Sequence, residues 1–149
     1  MTPETFFVGK PPPTVALLGW RLIALDAEGG TIEVGFDGKP EFANPAGFVQ
    51  GGILSAMMDD AMGPITVAHL KGRAFPSTID LHTQFLRPVR FGAITVKARV
   101  VQAGKAVAFQ EADLFDSRGK LSAKCSASAA LIAGVTNPFA APPEGTPDA

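Results

Sequence analysis

Two incompatible hydrophobic periods share this chain, and the order in which they occur restricts the folds open to it. Apolar side chains alternate in TIEVGF (Ile32, Val34, Phe36), in STIDLHTQF (Ile79, Leu81, Phe85) and in AITVKARV (Ile94, Val96, Ala98, Val100), the period of a half-buried strand. Between the first two, from Gly51 to about Leu70, the residues Ile53, Leu54, Met57, Met58, Ala61, Met62 and Ile65 return at helical spacing. KAVAFQEADLF and KLSAKCSASAALI, set off by the turn signals QAGK and DSRG, and GWRLIALD ahead of Gly29 and Gly30 complete a set of six strands. Two strands, one long helix and then four strands, joined mostly by hairpins, make an α+β domain in which an antiparallel sheet wraps a single helix. Pro64 falls inside that helix and removes one i to i−4 hydrogen bond, so the sequence predicts a kink or an early end there.

With 149 residues the chain has room for one domain and a core. Eight of its 13 prolines lie in the first 13 or the last 12 residues, which sets the expected boundaries: a tail over 1–13, one domain over 14–136, and a proline-rich disordered tail over 137–149. Charged residues make up only 18% of the chain, below the roughly 25% usual for a globular protein, and this points to self-association. A net charge of −1 leaves no general positive field for a nucleic-acid backbone or an anionic membrane. Cys125 is the only cysteine and His69 and His82 the only histidines, too few for a disulfide or a structural zinc site. The N-terminus lacks a basic start followed by an apolar run, and Asp59 and Asp60 interrupt the most apolar helical stretch. The expectation is therefore a cytoplasmic protein that neither enters a membrane nor is exported.

No G-x-S-x-G elbow, P-loop, G-x-G-x-x-G, C-x-x-C or H-E-x-x-H occurs. The chemistry concentrates instead in NPAGFVQGGILSAMMDDAMG. Gly51 and Gly52 open the helix, where the amides have no partner within it and the macrodipole adds positive potential, so an oxyanion could approach the Gly51 N–H closely. The same pair also fits a tight loop-to-helix turn. Around the helix, Asp59 falls among Ser55, Ala56, Gly63 and Thr66, a face of small residues suited to close approach by another element. Asp60 lies on the other flank and is expected to be solvated or salt-bridged. Asp59 is eight positions beyond Gly51, about 12 Å along the axis, so amide and acid of one chain cannot hold the same reacting group. A second copy with its helix antiparallel about a two-fold axis would bring Gly51 of one chain beside Asp59 of the other.

These residues resemble the hot-dog thioesterases of the PaaI-like, phenylacetate-pathway group, whose pattern is roughly N-x-x-G-x-x-H-G-G with an acid on the helix that follows. Asn44, Gly47, Gln50, Gly51, Gly52 and Asp59 occupy those positions, and STIDLHTQFLRP and GKAVAF extend the resemblance over about Gly19 to Ile132. The resemblance implies a hot-dog fold and hydrolysis of acyl-CoA or aryl-CoA thioesters without metal or redox cofactor, the CoA thioester being the substrate. It implies further a homodimer or dimer of dimers with its sites at the subunit interface. By the same resemblance the Gly51 amide polarises the thioester carbonyl and Asp59 of the partner acts as base or nucleophile. Asn44 orients the thioester or the water, and Thr78 helps to position the water. Gln50 departs from the family histidine; it can donate a hydrogen bond but carries no proton at neutral pH.

Thioester hydrolysis also needs a dry acyl tunnel, for which Phe48, Met57, Met58 and Met62 are candidates beside Gly52, although a methionine stripe equally fits core packing. Arg87, Arg90 and Lys105 are candidates for the CoA phosphates. Two other functions fit the same fold: a module that binds acyl-CoA without turnover, and a dehydratase. The latter would need a catalytic histidine near the helix, which neither His69 nor His82 supplies.

Overall fold

The computed structural model describes residues 10–135. The expected tails lie largely outside these residues. All six expected strands form: β1 (Arg21–Asp26), β2 (Thr31–Gly38), β3 (Phe75–Phe85), β4 (Gly92–Ala103), β5 (Val107–Phe115) and β6 (Leu121–Ile132). They make one antiparallel sheet in the order β1-β2-β4-β5-β6-β3. Among the described residues two helices accompany them, α1 (Pro13–Leu18) and the long α2 (Gly51–His69), with a 3-10 turn at Pro40–Phe42.

The sequence reading missed α1, yet its signals are present: Pro13 at the first helical position, Val15 and Leu18 one turn apart and buried, and Gly19 in the left-handed conformation at the C-terminus (φ 71°). The helix α2 lies against one face of the sheet, where Leu54, Met57, Met58, Ala61, Met62 and Ile65 meet Val34, Phe36, Ile94, Val96 and Leu114 in a single core. Each such side chain contributes about 1.5–3 kcal/mol on burial, which is why amphipathic packing fixes this helix despite two glycines at its start.

Pro64 does not end α2, which continues to His69. The carbonyl that Pro64 leaves without an amide is that of Asp60, and the indole Nε1 of Trp20 donates to it at 2.9 Å. Trp20 is 2% exposed, so one residue both fills the core beside the proline and restores the missing hydrogen bond. Beyond Pro64, Ile65 and Thr66 are buried and His69 Nδ1 lies 2.9 Å from the Ala27 carbonyl. Burial on this last turn, together with the restored bond, offsets the roughly 3 kcal/mol that an interior proline costs. Trp20→Phe keeps an aromatic core but orphans the Asp60 carbonyl, and should lower the unfolding free energy by about 1–3 kcal/mol in urea titrations. An unchanged midpoint would show that the indole bond does not support the helix at Pro64.

Candidate active site

Strand β3 runs beside α2 and meets it at three levels. Gly51 faces Phe85, Ser55 Oγ donates to Thr83 Oγ1 at 3.0 Å, and Asp59 Oδ1 accepts from Thr78 Oγ1 at 2.9 Å. On the helix these residues are four apart, about 6 Å each; on the strand Phe85 and Thr83 are two apart, nearly the same distance, whereas Thr83 and Thr78 are five apart. Strict alternation from Phe85 and Thr83 would carry the helix-facing side to Leu81 and Ile79. A bulge between Thr78 and Asp80, where Ile79 has no opposite number on β6, shifts the phase by one and turns Thr78 to the acid. Asp59 and Thr78, both expected in the site, are thus brought together by an extra residue in the strand.

At the helix N-terminus, Asn44 Oδ1 accepts from the amides of Ala46 and Phe48, each at 3.0 Å, and Gly47 turns the loop with φ 82°. Val49 N donates to Val89 O and Gln50 N to Phe42 O, fixing where the helix begins. The Asn44 oxygen therefore serves the loop, leaving only its amide nitrogen for a substrate. Gln50 is the N-cap residue through its backbone; its side chain makes no capping bond and is exposed. Its carbonyl accepts from Ile53 and Leu54, and the Gly51 and Gly52 amides precede those bonds, as the unpaired first turn of a helix requires. Glycine at 51 lets a neighbour come close: a β-carbon there would stand 3.1 Å from Cζ of the Phe85 ring, tighter than an ordinary contact.

Asp60 departs from expectation. Among the described residues it makes no salt bridge, and it is half-buried rather than solvated: Oδ2 is buried with no hydrogen-bond partner. Burial, and secondarily the charge of Asp59, pushes its carboxyl up to about 7. The indole of Trp20 reaches the backbone carbonyl of this same residue. Burial likewise pushes the Cys125 thiol up, which argues against a thiolate nucleophile.

The remaining candidates separate. Phe48 is half-buried in the loop before α2, but Met58 and Met62 are 0% exposed and belong to the core, so they line no open tunnel in this chain. Packing against the sheet takes the whole methionine stripe. Arg87 and Arg90 are exposed in the β3–β4 loop, at the Gly51 end, with Arg87 Nε donating to Leu121 O at 3.1 Å. Lys105 lies in the β4–β5 turn, beyond the far end of the 12-residue β4, and does not join them in one chain. His69 is near the C-terminus of α2 and His82 is on the outer face of the sheet, so neither approaches the helix N-terminus. A concavity of about 700 Å³ lies on that outer face, among charged residues that include the Arg99–Glu111 and Lys124–Asp113 pairs, away from the acid and the amides. Among the described residues no group of three His, Cys, Asp or Glu side chains could hold a metal ion, and no helix is long and apolar enough to cross a membrane.

Residues 46–123 match the family model of the thioesterase superfamily. A phenylacetic acid degradation-related protein from Ralstonia eutropha JMP134, described as a candidate thioesterase, superposes with a TM-score of 0.78 at 34% identity, covering 85% of this chain and 96% of that one. A thioesterase from Haemophilus influenzae shares the fold with a TM-score of 0.74 at 21% identity, over 84% of this chain and 86% of that one. In sequence, a candidate esterase from Thermoplasma acidophilum is 27% identical over 95 residues, 64% of this chain and 71% of its own.

Proposed function

The chain belongs to the thioesterase superfamily, within its PaaI-like hot-dog group, and from that premise we propose that it hydrolyses acyl-CoA or aryl-CoA thioesters to free acid and CoA at sites shared between two copies. The observation that carries this is the Thr78–Asp59 hydrogen bond on a helix whose first amides, at Gly51 and Gly52, have no partner within it. An acceptor oxygen on the Gly51 amide would gather charge as a tetrahedral intermediate forms, where the amide dipole and the helix terminus both favour it. Asp59 of the other copy takes a proton from the attacking water, or attacks the carbonyl carbon itself. Thr78 holds that carboxylate in place through its hydroxyl. The leaving thiolate needs no full protonation, so the exposed Gln50 amide can serve where the family has histidine. Arg87 and Arg90 flank the same end and suit the CoA phosphates; no metal or redox cofactor is called for.

Support for the second copy comes from β3. It is a sheet edge 11 residues long, and it exposes Phe75, Ile79, Leu81 and Phe85 at 48%, 60%, 38% and 51%. A long apolar edge is a template for pairing with another strand. Antiparallel β3–β3 pairing about a two-fold axis sets the two α2 helices antiparallel, and the dimer can pair again into a dimer of dimers. A cytoplasmic setting suits both the substrate and the unpaired Cys125.

Release of thiol from a panel of short, long and aromatic acyl-CoAs tests the activity; binding without release would assign the chain to acyl-CoA binding instead. Shared sites have their own test. Asn44→Ala and Asp59→Asn homodimers should each be impaired, but a mixed dimer has one site with both defects and one with neither. Co-refolding equal amounts should then restore roughly a quarter of the sites if pairing is random. Activity that stays at the level of the separate variants, with mixed dimers present, would place all the catalytic groups in one chain.

A further inference from the structure

Phe85 sits where β3 ends, and its ring lies so near the helix N-terminus that a β-carbon at position 51 would be in tight contact with it, 3.1 Å from Cζ and 3.4 Å from each Cε. Gly51 is not among the positive-φ glycines, so its backbone would accept alanine, and the crowding there comes from the ring alone. In the single chain Phe85 is 51% exposed. Around it the same end of the fold presents Leu86 at 51% and Phe91 at 39% exposure, and the half-buried Phe48. The loop carrying Phe48 is tied to that of Leu86 and Phe91 by the Val49 N to Val89 O bond at 2.9 Å.

We infer that Phe85 is a specificity-determining residue, a wall beside the Gly51 amide that admits thioesters with an unbranched α-carbon and turns away those with an α-methyl group. The inference rests on the thioesterase reading. An acyl oxygen hydrogen-bonded to the Gly51 N–H places the carbonyl carbon and its α-carbon within a few ångströms of the Gly51 backbone. On the side of that backbone facing β3 an added carbon would crowd the ring at 3.1–3.4 Å, so a branch there must push the ring aside. A straight chain leaves along the apolar rim of Phe48, Leu86 and Phe91; a second substituent on the α-carbon points at the ring. One misplaced methyl group in an apolar site is worth about 10- to 200-fold in kcat/KM.

Butyryl-CoA and isobutyryl-CoA, which differ only in branching, supply the test. Wild type should prefer butyryl-CoA. Phe85→Ala should raise the isobutyryl/butyryl ratio of kcat/KM by about 10-fold or more, and Phe85→Leu should raise it less. Equilibrium titration of both thioesters against Asp59→Asn and Asp59→Asn/Phe85→Ala should show the same shift in the ratio of dissociation constants. Ratios unchanged by Phe85→Ala in turnover and in binding would overturn the wall. Absence of thiol release from any thioester by wild type would overturn the hydrolase reading instead, and the binding ratios would then decide on Phe85 alone.

Discussion

Asp59→Asn is expected to lower kcat by about 10²- to 10⁴-fold, the usual contribution of a positioned base, while leaving the fold and the dimer intact. The amide matches the carboxylate in shape and keeps an oxygen to accept from Thr78 Oγ1, so the contact seen at 2.9 Å can persist with the charge gone. What disappears is the group that takes the water's proton or attacks the carbonyl. KM should change little, because no charged part of the substrate is proposed to meet Asp59. Thiol release measured under saturating acyl-CoA, beside a far-UV spectrum and an unfolding midpoint, separates lost chemistry from lost structure. A kcat within about 3-fold of wild type in folded Asp59→Asn would remove Asp59 from the reaction. Thr78→Val should produce a smaller loss that falls on kcat, since it frees the carboxylate to rotate without removing it.

The fold was legible because each element satisfies its own period: Ile32, Val34 and Phe36 on one side of β2, Leu54, Met58, Met62 and Ile65 on one stripe of α2. The spacing from Gly51 to Asp59 was legible for the same reason, being a distance along one rigid element. What could not be read is where one element's irregularity answers another's. Pro64 signalled a broken helix, but its effect depended on a tryptophan 44 positions earlier that supplies the absent donor. Thr78 reaches Asp59 through a bulge at Ile79, and nothing in an alternating strand sequence marks which residue will be left unpaired. Phe85 counted only as one more apolar strand residue until its ring was seen in the place of the Gly51 β-carbon. The methionines fitted a tunnel or a core equally well on spacing; contact with the sheet decided for the core. For Asp59 and Asp60 the wheel put both outside the apolar stripe, and tertiary cover then treated the two flanks differently.

That difference makes Asp60→Asn the second large effect, on stability and as a function of pH. The folded carboxyl holds its proton to about pH 7, against 3.8 in the open chain. Below the lower value both states are protonated and the site carries no penalty. Between the two, the unfolded chain ionises while the folded one does not, the folded state binds more protons, and stability falls as pH rises; above about 7 the loss is complete. A shift of this size corresponds to at most about 4 kcal/mol, and relaxation of the half-buried side chain makes about 2–3 kcal/mol the reasonable expectation. Asparagine fits the same space and has no proton to lose, so it adds only an offset that does not vary with pH. The difference in unfolding free energy between variant and wild type should therefore move in favour of Asp60→Asn from about pH 4 to pH 7 and be level from there to pH 8. Asp116, whose carboxyl the Lys120 amide and Arg118 hold low despite burial, loses its contribution on acidification in both proteins and cancels from the difference. Urea titrations at one fixed protein concentration across this range measure the difference free of any change in dimer dissociation. If it stays flat from pH 4 to pH 8, Asp60 ionises in the folded protein much as it does in the open chain, and the burial of Oδ2 does not keep water from its carboxyl.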